Sequence, residues 1–223
     1  MAFVRAKKGP PPAESEKYTV HYFDEQGNVT IRSEGSKAWR NNNPGNMVYK
    51  PKGFASRHGA IGEAGGMAIF PDETTGRKAL IDLLKSENYR HLKIGDLSEK
   101  YEPQNPVKHR QMLLSISKLD PNKRVKDLTA QEFDCLRITL ERIEGWDVGN
   151  EDFIEKWYIS GVHKRRKIIY EYLIEKNKHW VSKVEAVELA SADRLHAIVV
   201  HMKNGSTYLR PEHHAPPFQI VST

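Results

Sequence analysis

The spacing of apolar residues through the middle of the chain predicts a group of amphipathic helices. The clearest helix has four apolar residues on one face, at helical spacing: Phe133, Leu136, Leu140 and Ile143. Thr129 and Glu132 form a capping box, which predicts where this helix begins. Similar patterns predict further helices over residues 74–87, 107–119, 151–159 and 163–177.

The two ends of the chain instead show β-rich runs around turn residues, a pattern that predicts hairpins. Residues 1–16 have a basic start without an apolar core, which indicates a flexible tail and not a secretory signal. We therefore expect a mainly α fold, with hairpin additions at both ends. The expected parts are a tail at 1–16, a hairpin at 17–34, a helical domain at 35–182 and a hairpin extension at 183–223.

The composition and net charge of the chain restrict the kinds of molecule that it is expected to bind. The chain has 223 residues, of which 38% are hydrophobic, and a formal net charge of +6. No apolar run approaches the roughly 18 residues of a membrane span, so we expect none. The positive charge suits a polyanionic partner, such as nucleic acid, an anionic membrane surface or a bacterial cell-wall polymer.

The residues that hold metals or cofactors in other proteins show no suitable spacing here. The chain contains a single cysteine, Cys135, whose apolar neighbours indicate a buried thiol. The histidines lack metal-ligand spacing, and no phosphate-binding glycine loop is present. We therefore expect neither a metal nor a cofactor.

The segment ERIEGW contains the most informative carboxylate. Glu144 falls in the last turn of the predicted helix, immediately before Gly145 and Trp146. The helix dipole disfavours negative charge at this end, and partial burial against Trp146 would disfavour it further. Both effects favour the protonated acid, as a general acid requires. The alternative is a solvated glutamate where a helix frays.

Two loop segments carry further candidates. In WRNNNPGN, residues 39–46, the three asparagines before Pro44 and Gly45 predict a demanding turn. This segment is either a rigid turn alone or a loop whose amides and Arg40 line a sugar-binding groove. In residues 59–76, Glu63 lies in a glycine-rich loop and Glu73 in the first turn of a helix, where solvated carboxylates are common.

Four segments in this order resemble a family of phage-derived, lysozyme-like proteins, found among virion lysis proteins and type VI secretion effectors. The segments are AWRNNNPGNMVY, GAIGEAGGMAIFPDETTGRKAL, YEPQNPVKHRQML and RIEGW. The resemblance covers about residues 36–149. It implies a lysozyme-like α fold and cleavage of the β-1,4 bond between N-acetylmuramic acid and N-acetylglucosamine. Because the acid helix follows the hairpin-like region, we expect a circularly permuted order.

The resemblance also implies roles for individual residues. Glu144 would be the catalytic acid. A two-carboxylate hydrolase needs a second acid, for which Glu63 is the first choice, followed by Glu73 and Glu34. A lytic transglycosylase needs only one acid, but Ile69 stands where that class has a glutamine, so both reactions stay open. The implied substrate-binding residues are Arg40, Asn42, Asn43, Tyr49, Glu73 and Trp146.

The same resemblance suggests where such an enzyme would act. It would be made in the cytoplasm without a signal peptide and delivered to the periplasm of a target bacterium by a secretion apparatus or virion. Its partners would be peptidoglycan strands and a cognate immunity protein. Two alternatives are a non-catalytic wall-binding or phage structural protein on the same scaffold, and a nucleic-acid-binding protein. The last lacks the usual aromatic and basic interleaving, so we expect no nucleic-acid partner.

Overall fold

The computed structural model describes residues 2–13, 15–165, 168–176, 178–213 and 215–221. It divides the chain into two compact units. The first comprises Met1–Asp24 and Ile31–Asp152, and the second Glu25–Thr30 and Phe153–Thr223. The expectation of a mainly α fold is wrong, because 32% of residues are helical and 30% lie in strands, with twelve strands in four sheets among the described residues. The fold is mixed α/β.

The part of the chain that precedes residue 155 contains both strands and helices. The strands are β1 (Phe3–Gly9), β2 (Thr19–Asp24), β3 (Val29–Ser33), β4 (Gly62–Ala64), β5 (Met67–Ile69) and β6 (Asn150–Ile154). The helices are α1 (Lys37–Arg40), α2 (Phe54–Arg57), α3 (Glu73–Lys85), α4 (Leu97–Tyr101), α5 (Pro106–Ser117) and α6 (Ala130–Glu144). One sheet has the order β1-β2-β3-β6, and β4 pairs with β5.

The first strand corrects the expected flexible tail. Residues Phe3–Gly9 form β1, which pairs antiparallel with β2 along most of its length. Ala6 is buried in a small apolar cluster with Val20 and Tyr22, and its backbone amide donates to the carbonyl of Ile61 at 3.3 Å. These contacts outweigh the basic, proline-flanked composition of the segment, which suggested disorder.

The helices of the first unit enclose its main apolar core. Phe70, Leu80, Leu84, Leu113, Leu136 and Leu140 are fully buried there. The predicted capping box at the start of α6 is present, with Thr129 and Glu132 exchanging side-chain and backbone hydrogen bonds. The apolar face predicted for this helix therefore packs inward and holds the end of α6 in place.

The second unit is mostly β, which overturns the helices expected at residues 151–159 and 163–177. Its elements are β7 (Ile159–Arg165), β8 (Ile168–Ile174), β9 (His179–Ser182), α7 (Lys183–Ser191), β10 (Ala197–His201), β11 (Thr207–Pro211) and β12 (Gln219–Ile220). The sheet order is β12-β7-β8-β9, and β10 and β11 form the hairpin expected near the C-terminus. In β8 the buried residues Tyr172 and Ile174 are two apart, which is strand and not helix periodicity.

The domain boundary also differs from the expected one, because the chain divides after Asp152 and not after residue 182. In the second unit α7 packs against the two sheets through Ala186 and Ala190, which join Tyr172 and Leu209 in one buried cluster. The helices of the described ranges include none that is both long enough and apolar enough to cross a membrane.

Candidate active site

Glu144 is the last residue of α6, and Gly145 ends the helix with a positive φ of 78°. Glycine adopts this backbone conformation without the steric cost that other residues meet. The side chain of Glu144 is only 13% exposed. The alternative of a solvated carboxylate at a frayed helix end is therefore inconsistent with the structure.

Asn46 fixes one oxygen of the Glu144 carboxyl group. Its Nδ2 atom donates a hydrogen bond to Glu144 Oε2 at 2.9 Å. Asn46 has a left-handed backbone, with φ 42°, and its amide donates to the carbonyl of Asn43 at 2.9 Å. The asparagine-rich turn thus reaches the end of α6, although the contact comes from its last residue.

Glu144 lies in the wall of a cavity of about 570 Å³, a size common for small-molecule sites. A second carboxylate, Glu102, lines the same cavity. Lys37, Lys50 and Lys100 place positive charge around it. The remaining wall is largely apolar and aromatic: Met47, Val48, Phe54, Met67, Leu83, Tyr89 and Tyr101. The cavity thus combines two acids with cationic and apolar surfaces.

A cavity of similar volume, about 580 Å³, lies beside the start of α6. The one carboxylate that lines it, among the described residues, is Asp134, whose side chain is 66% exposed. A solvated carboxylate is poorly suited to acid catalysis near neutral pH. We therefore assign the candidate active site to the cavity at Glu144, where the polar groups converge.

Tyr101 borders Glu144 from α4. Its hydroxyl donates to the carbonyl of Gly45 at 2.7 Å. Burial raises the pKa of Tyr101 well above its usual value, and the nearby Glu144 carboxyl adds to this effect. Tyr101 therefore stays neutral, and it anchors the turn that carries Asn46.

His109 borders Glu144 from α5. Its Nε2 atom lies 3.8 Å from Glu144 Oε1, and its Nδ1 atom lies 2.8 Å from Ser98 Oγ. The imidazole ring stacks on Tyr101 with 5.6 Å between ring centroids. The His109 side chain is 4% exposed, so these neighbours fix its orientation.

Three residues expected to contact glycan are buried and hold the fold instead. Arg40 donates to the carbonyls of Glu34 and Gly35, at 2.7 and 2.8 Å. Asn42 accepts from Arg32 and donates to the carbonyl of Phe70. Their exposures are 4% and 2%, which leaves no surface for a sugar.

Asn43, the third of these residues, is fully buried. Its Nδ2 atom donates to the carbonyls of Met47 and Ala68, and its Oδ1 atom accepts from the amide of Met47. The side chain thereby closes the turn and ties it to β5. Asn42 and Asn43, which follow the end of α1, are therefore held in a rigid turn by buried hydrogen bonds.

The structure also separates Glu63 and Glu73 from the cavity lining. Glu63 is exposed in β4, and its Oε1 atom accepts from the amide of Gly66 at 2.5 Å, which closes the β4–β5 turn. Glu73 is ion-paired with Arg77, which also contacts Glu141. Both carboxylates therefore have structural partners outside the cavity.

Three other candidates lie outside the set of residues that lines the cavity. Tyr49 packs against the helical core, and Trp146 is partly buried just after α6. Glu34 has a left-handed backbone, with φ 55°, and lies 3.8 Å from the Lys17 ammonium group. Among the described residues that the sequence predicted for binding or catalysis, Glu144 alone lines the cavity.

Four neighbours of Glu144 were not predicted from the sequence: Asn46, Tyr101, Glu102 and His109. Asn46 is part of the asparagine turn, and the other three belong to the YEPQNPVKHRQML segment that carries the family resemblance. Their spacing gives no sign that they meet, because Asn46 and Glu144 are 98 residues apart. The one sequence feature that pointed to these residues is that they lie in segments that resemble the lysozyme-like family.

No group of three or more His, Cys, Asp or Glu side chains suited to a metal ion occurs in the described part of the chain. In comparisons with known proteins, no family model matches the chain, and no curated protein matches it either. The resemblance to lysozyme-like proteins is therefore carried by the quoted segments alone.

Proposed function

We propose that the first unit is a peptidoglycan glycosidase with Glu144 as its general acid. The observation that carries this proposal is the placement of Glu144, a largely buried carboxyl group at a helix C-terminus, in the wall of a cavity that also contains Glu102. A carboxyl group in the wall of a cavity can reach a bound substrate and donate a proton to it, as a general acid requires.

In this mechanism Glu144 protonates the oxygen of the β-1,4 bond between N-acetylmuramic acid and N-acetylglucosamine. Asn46 donates to Oε2, so this oxygen accepts a hydrogen bond and acts as the carbonyl oxygen of the acid. The proton is then carried by Oε1. Protonation of the departing oxygen is the step that a general acid accelerates by roughly 10²–10⁴-fold.

Glu102 replaces Glu63 and Glu73 as the candidate second carboxylate. It is partly buried, it lines the same cavity as Glu144, and its side chain has no hydrogen-bond partner among the described residues. In a two-carboxylate hydrolase it would act as base or nucleophile. In a lytic transglycosylase the sugar's own hydroxyl attacks the anomeric carbon, and Glu102 would not be required for bond cleavage.

The charge of the cavity supports an anionic polymer as substrate. Lys37, Lys50 and Lys100 line it, and the whole chain carries a net charge of +6. Peptidoglycan is anionic, and a positive surface speeds the encounter with such a polymer. Apolar side chains along the same wall offer surface for the sugar rings.

The biological setting of the proposal rests on the family resemblance. An antibacterial effector or phage lysis protein of this kind is made in the cytoplasm and reaches the periplasm of a target cell through a secretion apparatus or virion. The producing cell of a secreted toxin needs an immunity protein, and a protein that covers the Glu144 cavity would protect its wall.

The proposal is tested by digestion of purified peptidoglycan with wild-type protein and Glu144→Gln, followed by mass spectrometry of the muropeptides. We expect Glu144→Gln to lower kcat by about 10²-fold or more, because the amide cannot donate a proton as the acid does. Reducing-end products indicate a hydrolase, and products lighter by one water indicate a transglycosylase. Glu102→Gln should lower hydrolysis but leave anhydro-forming cleavage.

Glu63→Gln is the matched control, since this exposed carboxylate lies outside the cavity lining and should leave kcat near the wild-type value. Equal cleavage by wild type and Glu144→Gln would refute the assignment of the acid. Binding of peptidoglycan without cleavage by the wild-type protein would instead identify a non-catalytic wall-binding scaffold.

A further inference from the structure

The imidazole of His109 is held in one orientation beside Glu144. Ser98 Oγ lies 2.8 Å from its Nδ1 atom, and Tyr101 stacks on its ring. The Nε2 atom has no exposed surface and no hydrogen-bond partner among the described residues, and it lies 3.8 Å from Glu144 Oε1. A buried polar atom without a partner is rare in folded proteins, so this nitrogen calls for an explanation.

The hydrogen bond between Ser98 and His109 indicates which ring nitrogen carries the proton in the neutral imidazole. Ser98 is fully buried, and the His109 nitrogen is the one hydrogen-bond partner of its hydroxyl in the described ranges. If Nδ1 carried the proton, the hydroxyl hydrogen of Ser98 would have no acceptor. If Nδ1 accepts from Ser98, both groups are satisfied and the proton resides on Nε2, which faces Glu144.

From this arrangement we infer that His109 is a positioning residue that presents an Nε2–H donor to Glu144 Oε1 as this oxygen becomes anionic. The inference rests on the proposed function, since Oε1 is the oxygen that gives up the catalytic proton. While Oε1 carries that proton it needs no donor, which agrees with the long separation of 3.8 Å. Once the proton moves to the glycosidic oxygen, the negative charge on Oε1 attracts Nε2–H and the contact shortens.

Such a contact accelerates the reaction because it is stronger in the transition state than in the ground state. Contacts of this kind affect kcat more than KM, since the substrate binds before the charge develops. Asn46 already holds Oε2 at 2.9 Å, so with His109 each carboxylate oxygen has its own donor after proton transfer. His109 is absent from the lining of the 570 Å³ cavity, but with Glu102 and Glu144 it lines a smaller cavity of about 280 Å³. Its Nε2 atom is buried, so it acts through Glu144.

The first test compares two substitutions in a peptidoglycan cleavage assay. His109→Phe keeps a ring that can stack on Tyr101 but removes both nitrogens, and we expect kcat to fall by about 10²-fold with KM unchanged, as for loss of one donor to a developing charge. His109→Gln keeps an amide donor near the Nε2 position and should recover most of kcat. Wild-type kcat in His109→Phe, or equal losses in both folded variants, would overturn the inference.

The second test does not depend on activity. Long-range ¹H–¹⁵N NMR of histidine-labelled protein, at a pH where imidazoles are neutral, reports which ring nitrogen carries the proton. The expected result is Nε2–H in wild type, with His109→Gln used to assign the signal, and a mixture of tautomers in Ser98→Ala. A wild-type signal from Nδ1–H would overturn the inference. Absence of cleavage by the wild-type protein would refute the proposed function, and the tautomer would still be measured.

Discussion

Substitution of Asn43 by alanine should strongly destabilise the first unit. The Asn43 side chain is fully buried and makes three hydrogen bonds, two to carbonyls and one from the amide of Met47. A hydrogen bond contributes a net 0.5–1.5 kcal/mol, and a buried group left without a partner costs about 1–3 kcal/mol. Three lost bonds with incomplete compensation therefore give a loss of about 3–5 kcal/mol in the free energy of unfolding.

In the Asn43→Asp variant the side chain keeps nearly the same shape. This variant therefore tests the contribution of the hydrogen bonds to stability separately from that of packing. The substitution replaces the Nδ2 donor by an oxygen that faces the carbonyls of Met47 and Ala68. Acceptors then face each other in a buried site, so we expect a loss at neutral pH at least as large as for alanine. Asn122→Ala, at an exposed position, is the control and should change the stability by less than about 0.5 kcal/mol.

Urea unfolding followed by circular dichroism at 222 nm suits this measurement. The long helices α3, α5 and α6 all belong to the first unit, so the helical signal reports mainly on that unit. A loss below about 1 kcal/mol for Asn43→Ala, together with a raised KM for peptidoglycan, would refute the structural role. Such a result would return Asn43 to the glycan-binding role implied by the family resemblance.

Two further predictions concern α6. The Lys123 ammonium group, together with backbone and side-chain bonds to Thr129, lowers the pKa of Glu132 to about 2 from 4.5. The contribution of Glu132 to stability is therefore fully present above pH 4.5 and is lost as the pH falls towards 2. Substitution Lys123→Met should raise the pKa of Glu132, which a carboxyl ¹³C NMR titration measures. An unchanged pKa would contradict the role of Lys123. Cys135→Ala should retain full activity, because the thiol contacts the carbonyl of Ser117 at 3.5 Å and lies outside the cavity lining, and a loss of cleavage without unfolding would contradict this.

Local sequence patterns missed the short helices α1, α2 and α4 of the first unit, but they predicted its three long helices, α3, α5 and α6, because their apolar positions recur at helical spacing. The Thr129 capping box and the apolar face of α6 are examples. The same approach failed over residues 151–177, where the charged residues of β7 and β8 resembled the polar face of a helix. In those strands Ile159 pairs with Ile174, and Tyr172 pairs with Val162 on one side and Val181 on the other, so sheet pairing overrode the apparent helical pattern.

Glu144 could be predicted as a candidate acid because the sequence pattern that marks it lies within a few neighbouring residues. A glutamate between an apolar helix position and a glycine marks a helix end, whatever the rest of the fold. The neighbours of Glu144 were not accessible, because contacts between distant segments depend on how the helices pack. Asn46 lies 98 residues from Glu144, and His109 reaches it from a different helix.

The asparagine turn shows how residues that never touch a ligand can still determine a site. Asn42 and Asn43 satisfy backbone groups of the β5 region, and Tyr101 holds the carbonyl of Gly45. These bonds restrain the turn on both sides of Asn46, whose left-handed backbone brings Nδ2 to the Glu144 carboxyl group. A less restrained turn would let Asn46 relax from this conformation, which L-residues adopt rarely. In the proposed mechanism the buried asparagines would therefore support catalysis by holding the Asn46 donor in place, and not by contact with glycan.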